Sequence, residues 1–124
     1  MCMDGSIPRA KLAEVLREIN NLSKKYKLPV ANAFHAGDGN LHPLIMFDAS
    51  DKDQLRRCEE FGADILKYCV KVGGALTGEH GVGIEKRELM CEAFNNTDIQ
   101  QQLKIKVALD PNSLLNPGKV YPIL

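Results

Sequence analysis

The chain has 124 residues, 44% of them hydrophobic and 26% charged, so it can bury the core of one domain, which we expect to span residues 1–124. Its sixteen basic and sixteen acidic residues cancel and form no long run of one sign, which argues against nucleic acid or an anionic membrane as a partner. The cysteines form no C-x-x-C pair, and no stretch reads as a signal segment or a transmembrane helix, so we expect reduced thiols in a cytoplasmic protein.

The first half of the chain reads as a helix followed by a β-hairpin. Apolar residues recur at helical spacing from Pro8 to about Lys27. The extended runs Val30–His35 and Leu41–Phe47 flank a Gly-Asp-Gly-Asn turn, which predicts two antiparallel strands. Because proline cannot donate to a sheet ladder, Pro43 predicts an edge position or an irregular start for the second strand.

The second half of the chain is mainly helical in pattern. A capped, amphipathic segment from Asp51 to about Val72 predicts a long helix that ends at a pair of glycines. Residues 75–77 are too few to assign from pattern alone, but they could form a brief strand that presents Glu79 and His80 beside the hairpin. Residues 85–94 and 97–110 are predicted to form further helices. This order predicts an α+β fold in which helices pack on one face of a small antiparallel sheet.

All three histidines lie in two glycine-rich loops, one in the hairpin turn and one after the brief strand. Neutral imidazoles and a carboxylate are ligands that Zn²⁺ and its first-row neighbours prefer, and a catalytic site typically uses three and leaves a position open. A Gly-Asp-Gly-Asn run is also an ordinary tight turn, so His35 and His42 could simply flank a hairpin. Glu79 and His80 lie among glycines where core packing requires neither an acid nor an imidazole, which favours a divalent-metal site.

Ordered motifs extend from about Pro8 to the C-terminus: Phe34-His35-Ala36-Gly37-Asp38-Gly39-Asn40-Leu41-His42-Pro43, Gly73-Gly74, Gly78-Glu79-His80-Gly81-Val82-Gly83, Lys86, Asp110-Pro111-Asn112 and Leu115-Asn116-Pro117-Gly118-Lys119. In these motifs the chain resembles the FAD-linked oxidases of the glycolate oxidase and D-lactate dehydrogenase type. The resemblance covers the last part of the C-terminal, substrate-side domain of that family and implies its ferredoxin-like arrangement of sheet and helices.

The FAD-binding domain of that family has no counterpart in this chain, and no G-x-G-x-x-G fingerprint is present. We therefore expect a fragment of a gene product, an isolated domain or a split subunit. On that expectation, Met1-Cys2-Met3 could be an artificial or alternative start.

The resemblance implies a metal centre and a base. His35, His42 and Glu79 would ligate a divalent metal, Zn²⁺ or Mn²⁺, and His80 would be the general base. A metal held in this way can chelate a 2-hydroxy acid, His80 can take the hydroxyl proton, and FAD can accept the hydride. The 124-residue chain alone is expected to bind metal but to be inactive as an enzyme.

The resemblance also implies contacts with the cofactor and a preference among substrates. Asn116 would lie against FAD in the complete enzyme, and Asn40 would help to shape the same junction. In relatives that act on 2-hydroxyglutarate, an asparagine stands two places after the second histidine, whereas Leu44 stands there in this chain. This difference favours a smaller or less polar substrate such as glycolate or D-lactate.

The implied partners are a small 2-hydroxy acid, an FAD-binding domain or subunit, and an iron–sulfur electron-transfer subunit. A homodimer, and peripheral attachment to the inner membrane through partner subunits, are further alternatives. Two other classes of function fit the same residues. The ligands could activate water in a stand-alone metal-dependent hydrolase or lyase. The glycine-rich loops could instead shape an interface in a structural docking module without catalysis.

Overall fold

The computed structural model of the chain describes residues 1–122. Its strands and α-helices, in chain order, are β1 (Gly5–Ser6), α1 (Leu12–Tyr26), β2 (Val30–His35), β3 (Asn40–Ile45), α2 (Lys52–Lys71), α3 (Met90–Ala93) and α4 (Asn96–Leu109). Short 3-10 helices at Arg9–Lys11 and Arg87–Leu89 precede α1 and α3. These elements fall into two compact units, of which the first is Met1–His80 and the second begins at Gly81. The expectation of one domain over residues 1–124 stays a prediction.

The sheet has three antiparallel strands in the order β1-β3-β2. The predicted hairpin is confirmed, with Val30 opposite Ile45 at one end and His35 opposite Asn40 at the other. The edge position predicted from Pro43 is wrong, because β3 is the central strand. The Pro43 carbonyl accepts the Met3 amide at 3.0 Å, on the side away from β2, so its missing N–H removes no hydrogen bond from the hairpin.

One face of the sheet packs into the core of the first unit. Strand alternation places Leu41 and Ile45 on this face, and both are almost fully buried. Helices α1 and α2 contribute most of the other buried hydrophobic side chains of this core, which are Val15, Ile19, Leu22, Cys58, Phe61, Ile65, Leu66 and Cys69. The predicted α+β fold is confirmed.

The ends of the two long helices follow local rules. The Asp51 carboxylate caps α2 by accepting the amides of Asp53 at 2.9 Å and Gln54 at 3.2 Å. Helix α1 ends where Lys27 adopts a left-handed backbone with φ of 53°. Among residues 1–122, no helix is both long enough and apolar enough to cross a membrane.

A polar and aromatic contact joins the end of α1 to the middle of α2. The Tyr26 ring stacks on Phe61 with ring centroids 5.6 Å apart. The Tyr26 hydroxyl donates to the Asp64 carboxylate at 2.6 Å, and the Lys25 ammonium approaches the same carboxylate at 3.0 Å. Aromatic packing and a charge-assisted hydrogen bond therefore act on the same pair of helices.

The second unit contains less helix than the sequence predicts. The expected helix over residues 85–94 is reduced to the 3-10 helix and the single turn α3, with turns before them. Helix α4 matches its prediction and begins with a capping box between Asn95 and Asp98. After α4, the buried Asp110 carboxylate accepts the amides of Leu114 and Leu115 at 2.9 Å each and closes the following loop.

Candidate metal centre

The register of the strands brings polar side chains to the sheet face opposite the core. Ala33 pairs with His42, and His35 pairs with Asn40, so these side chains share that face. The pairing of Gly5 with Leu41, continued by the bridge between Cys2 and Leu44, puts Asp4 directly across from His42. We call this surface the site face.

Asp4 binds the chain segment that carries Glu79 and His80. Its side chain is fully buried, and it accepts the Thr77 hydroxyl at 2.6 Å and the backbone amides of Gly78 at 2.9 Å and His80 at 3.0 Å. The Glu79 amide lies 3.2 Å from both carboxylate oxygens. Three successive N–H groups therefore converge on one carboxylate, which fixes the path of the backbone over the site face.

The pKa of Asp4 shows the balance between burial and hydrogen bonding. Burial is the largest single influence and raises the pKa. The hydrogen bonds from Thr77, Asn40, His80 and Gly78 together lower it by more, so the pKa lies well below the usual range for aspartate. Asp4 is therefore an anion at neutral pH, which is the form that accepts all of these donors.

Glu79 lies at the centre of the three histidines. Its Oε1 atom is 2.9 Å from His42 Nε2, 3.8 Å from His35 Nε2 and 3.9 Å from His80 Nε2. The His42 ring is edge-on to His35 and stacked on His80, with centroid distances of 5.3 and 5.1 Å. The His42 side chain is only 13% exposed, whereas the other three side chains are each about half exposed. The structure thus gathers the predicted residues of both glycine-rich loops.

The spacing of these donor atoms is suitable for a metal ion. Two ligand atoms about 2.1 Å from a tetrahedral Zn²⁺ lie about 3.4 Å apart. Ligand atoms of Asp4, His42, Glu79 and His80 all lie within 4.8 Å of one another, and His35 joins them through Glu79. Imidazole nitrogens with a carboxylate oxygen suit Zn²⁺ and Mn²⁺. The residues therefore fit a divalent metal, and the ligand set of His35, His42 and Glu79 stays a prediction.

An open cavity of about 310 Å³ adjoins the cluster. Its lining residues are Ser6, His35, Asp38, Asn40, Gly78 and Glu79. Most of these residues are polar, and the cavity reaches the ligand atoms from solvent. The cavity therefore gives a small polar molecule access to the side chain of Glu79.

The two asparagines predicted to face the cofactor occupy different settings. Asn40 is 7% exposed, and its amide donates to Asp4 Oδ1 at 2.7 Å and to the Gly5 carbonyl at 3.1 Å. Asn116 belongs to the second unit, where it is exposed with φ of 46° and accepts the Lys119 amide at 3.3 Å. Asn40 thus has a structural role beside Asp4, and a flavin contact by either asparagine stays a prediction.

Sequence reasoning missed Asp4 and Thr77. Asp4 lies between Met3 and Gly5, where no helical or strand periodicity marks it. The one sequence feature that could have indicated a special role is its charge within a segment of apolar and small residues. The brief strand predicted over residues 75–77 is present only as one antiparallel bridge between Ser6 and Ala75. That bridge still delivers Thr77 to Asp4.

Comparison with known proteins identifies the family. The family described as FAD linked oxidases, C-terminal domain, matches residues 1–120. The chain belongs to the FAD-linked oxidase family. It is 54% identical over 123 residues to the glycolate oxidase subunit GlcD of Escherichia coli strain K12, and 37% identical over 118 residues to the subunit of the same name in Bacillus subtilis.

The chain is also similar to a protein named as a D-lactate dehydrogenase. The mitochondrial D-lactate dehydrogenase [cytochrome] of Arabidopsis thaliana is 35% identical over 122 residues. The three alignments cover 99%, 95% and 98% of this chain, but only 25%, 25% and 22% of the relatives. The chain therefore spans about a quarter of the length of the curated relatives it matches.

Proposed function

We propose that this chain is the substrate- and metal-binding part of a flavin-dependent 2-hydroxy acid dehydrogenase or oxidase of the glycolate or D-lactate type. The observation that carries the proposal is the approach of three imidazoles to Glu79 Oε1, at 2.9, 3.8 and 3.9 Å. In a member of the FAD-linked oxidase family, such a cluster on an open face is suited to bind and orient a small hydroxy acid.

His35, His42 and Glu79 would hold the metal. A bound Zn²⁺ or Mn²⁺ supplies Lewis acidity toward the carboxylate and hydroxyl of the substrate. His42 is largely buried and fixed by its neighbours, so it anchors the set, whereas His35 and Glu79 are exposed to an incoming anion. His80 is about half exposed, and its imidazole accepts the hydroxyl proton of the substrate at Nε2.

FAD, bound mainly by a partner domain or subunit, supplies the hydride acceptor. We propose that Asn116 contacts this partner's flavin and that Asn40 acts indirectly, by holding Asp4 at the same junction. A 124-residue chain without that partner would bind metal and oxidise nothing. An iron–sulfur subunit as the next electron carrier, a homodimer, and a cytoplasmic location with peripheral attachment to the inner membrane belong to the same proposal.

Leu44 supports a small or apolar substrate. It lies two residues after His42 on β3, so its side chain projects from the site face on the same side as His42. It is 42% exposed there and offers no hydrogen bond to a second carboxylate. Glycolate and D-lactate fit this surface better than a dicarboxylic hydroxy acid does. Family membership likewise favours an oxidase over a metal-dependent hydrolase, a lyase or a docking module.

A chimeric enzyme tests this proposal. Residues of this chain would replace the 123 matched residues of the Escherichia coli glycolate oxidase subunit, and oxidation of glycolate and D-lactate would be measured with an artificial electron acceptor. We expect oxidation by the chimera and a loss of about 10²- to 10⁴-fold in kcat on His80→Gln, because a positioned base contributes about that much.

The control is Glu60→Gln, which changes an exposed acid on α2 that pairs with Arg56. A folded, FAD-containing chimera that oxidises no 2-hydroxy acid would show that the proposed function is wrong. Unchanged kcat in His80→Gln would remove His80 from the mechanism. Hydrolysis of an ester or amide by the metal-loaded chain alone would favour the hydrolase instead.

A further inference from the structure

Asp4 is the buried charge on which the candidate metal centre is built. It is 0% exposed, whereas Glu79 and His80 are about half exposed. A buried carboxylate is tolerated only when its oxygens are hydrogen-bonded. Asp4 meets that requirement with donors from two places, the amide of Asn40 beside it on the sheet and residues 77–80.

The carboxylate oxygens of Asp4 are already engaged on both sides. Oδ1 accepts the Asn40 amide at 2.7 Å, and Oδ2 accepts the Thr77 hydroxyl at 2.6 Å and two backbone amides at 2.9 and 3.0 Å. Oδ2 would have to give up one of its three hydrogen bonds to ligate a metal. Oδ1 is approached by the Asn40 amide at 2.7 Å and by the Glu79 amide at 3.2 Å, so it too is engaged. Asp4 therefore differs from His42, Glu79 and His80, although its oxygens lie within 4.8 Å of their ligand atoms.

The geometry points to Asp4 as a positioning residue: through the backbone amides of Gly78, Glu79 and His80, it sets Glu79 and His80 against His42 without ligating the metal itself. This inference rests on the proposed function, because it assigns the metal to His35, His42 and Glu79 and the proton transfer to His80. The negative charge of Asp4, close to the ligand atoms, also favours a divalent cation there. Thr77 and Asn40 support Asp4 in the same arrangement.

Co²⁺ binding by the full chain tests this role. Co²⁺ reports both affinity, by titration, and ligand geometry, by the shape of its visible absorption bands. We expect Asp4→Asn to weaken Co²⁺ binding by about tenfold to a hundredfold, as the loss of outer partners of metal ligands commonly does, with an unchanged band shape at saturation. Asp64→Asn is the matched control, because Asp64 is likewise an aspartate bound by two side chains, but it lies on α2. We expect parental affinity in that variant.

Two outcomes of the Co²⁺ titration of Asp4→Asn would overturn the inference. Parental Co²⁺ affinity in a folded Asp4→Asn chain would show that Asp4 does not position the ligands. A changed band shape, with binding lost as completely as in Glu79→Ala, would show that Asp4 is a ligand. If Asp4→Asn does not fold, Thr77→Val and Thr77→Ser decide. Weaker binding in the valine variant, restored by serine, supports the inference, and equal affinity in both overturns it.

Co²⁺ binding by the parent chain distinguishes a failure of the proposed function from a failure of the role of Asp4. If the parent chain binds no Co²⁺, the metal site is wrong, whatever Asp4 does. Amide hydrogen exchange at Gly78, Glu79 and His80 then reports on Asp4 alone. Protected amides in the parent that exchange faster in Asp4→Asn support its hold on this segment, and equal exchange overturns it.

Discussion

The atoms around Gly78 leave no space for a side chain. A Cβ atom there would lie 2.1 Å from Asn40 Nδ2 and 2.9 Å from Asp4 Oδ1. Asp4 also accepts the backbone amides of residues 78–80, and Asn40 donates to Asp4. A side chain at Gly78 would therefore force the segment that carries Glu79 and His80 away from Asp4 and Asn40. The requirement for glycine at this residue is therefore steric, and it is part of the candidate site.

Gly78→Ala tests that requirement. We expect the free energy of unfolding to fall by about 1–3 kcal/mol, the usual cost of forcing atoms into a packed region. The matched control is Gly37→Ala in the hairpin turn, where a Cβ atom would meet nothing within 4 Å. Urea unfolding of both variants gives the comparison. Equal stability of the two variants would contradict the packing described around Asp4.

At the scale of elements, the contact between α1 and α2 predicts a pH dependence of stability. Burial raises the pKa of Asp64, but the hydrogen bonds from Tyr26 and Lys25 lower it by more. The folded chain therefore binds this proton less tightly than the unfolded chain does. The contribution of Asp64 is fully present above pH of about 4 and is lost as the pH falls through its folded pKa.

Asp64→Asn measures this contribution. At pH 7 we expect the free energy of unfolding to drop by about 1 kcal/mol, because the hydrogen bond from Tyr26 loses its charge assistance. Near pH 3 the difference from the parent should shrink. Glu59→Gln, at an exposed acid on the same helix, is the control. A difference that stays constant from pH 7 to pH 3 would show that the Asp64 charge does not stabilise the fold.

Elements with local signals could be predicted, and elements without them could not. The hairpin and the helices α1, α2 and α4 have apolar periodicity or capping residues within their own sequence. Strand β1 has two residues and pairs with a strand that begins 34 positions after it ends, so no local pattern marks it. The helix expected over 85–94 is mostly turn and 3-10 helix, which shows that helix propensity alone did not fix that segment.

The same distinction applies to the candidate site. The three histidines and Glu79 could be found because their residue types are unusual among glycines. Asp4 could not, because its role arises only when β1 lies beside β3 and residues 77–80 donate hydrogen bonds to its carboxylate. Ligand residues carry a chemical signal in the sequence, whereas the group that positions them is defined by tertiary contacts.

At the scale of the whole molecule, the chain corresponds to one part of longer relatives. It matches the C-terminal domain of the FAD-linked oxidases and covers 25% of the glycolate oxidase subunit of Escherichia coli. The side chains of His35 and Glu79 are 59% and 55% exposed, so the cluster faces outward from the first unit. This exposure agrees with the proposal that substrate and a flavin-bearing partner meet the chain at the site face.

The central claim is that the gathered histidines and Glu79 form a divalent-metal site in this chain. The most direct measurement is metal content by elemental mass spectrometry after loading with Zn²⁺ or Mn²⁺ and desalting. We expect about one equivalent in the parent and in the surface control Glu60→Ala, and almost none in His42→Ala and Glu79→Ala, because a three-ligand site loses its hold when one ligand is removed. Parental metal content in both ligand variants, or no metal in the parent, would contradict the claim.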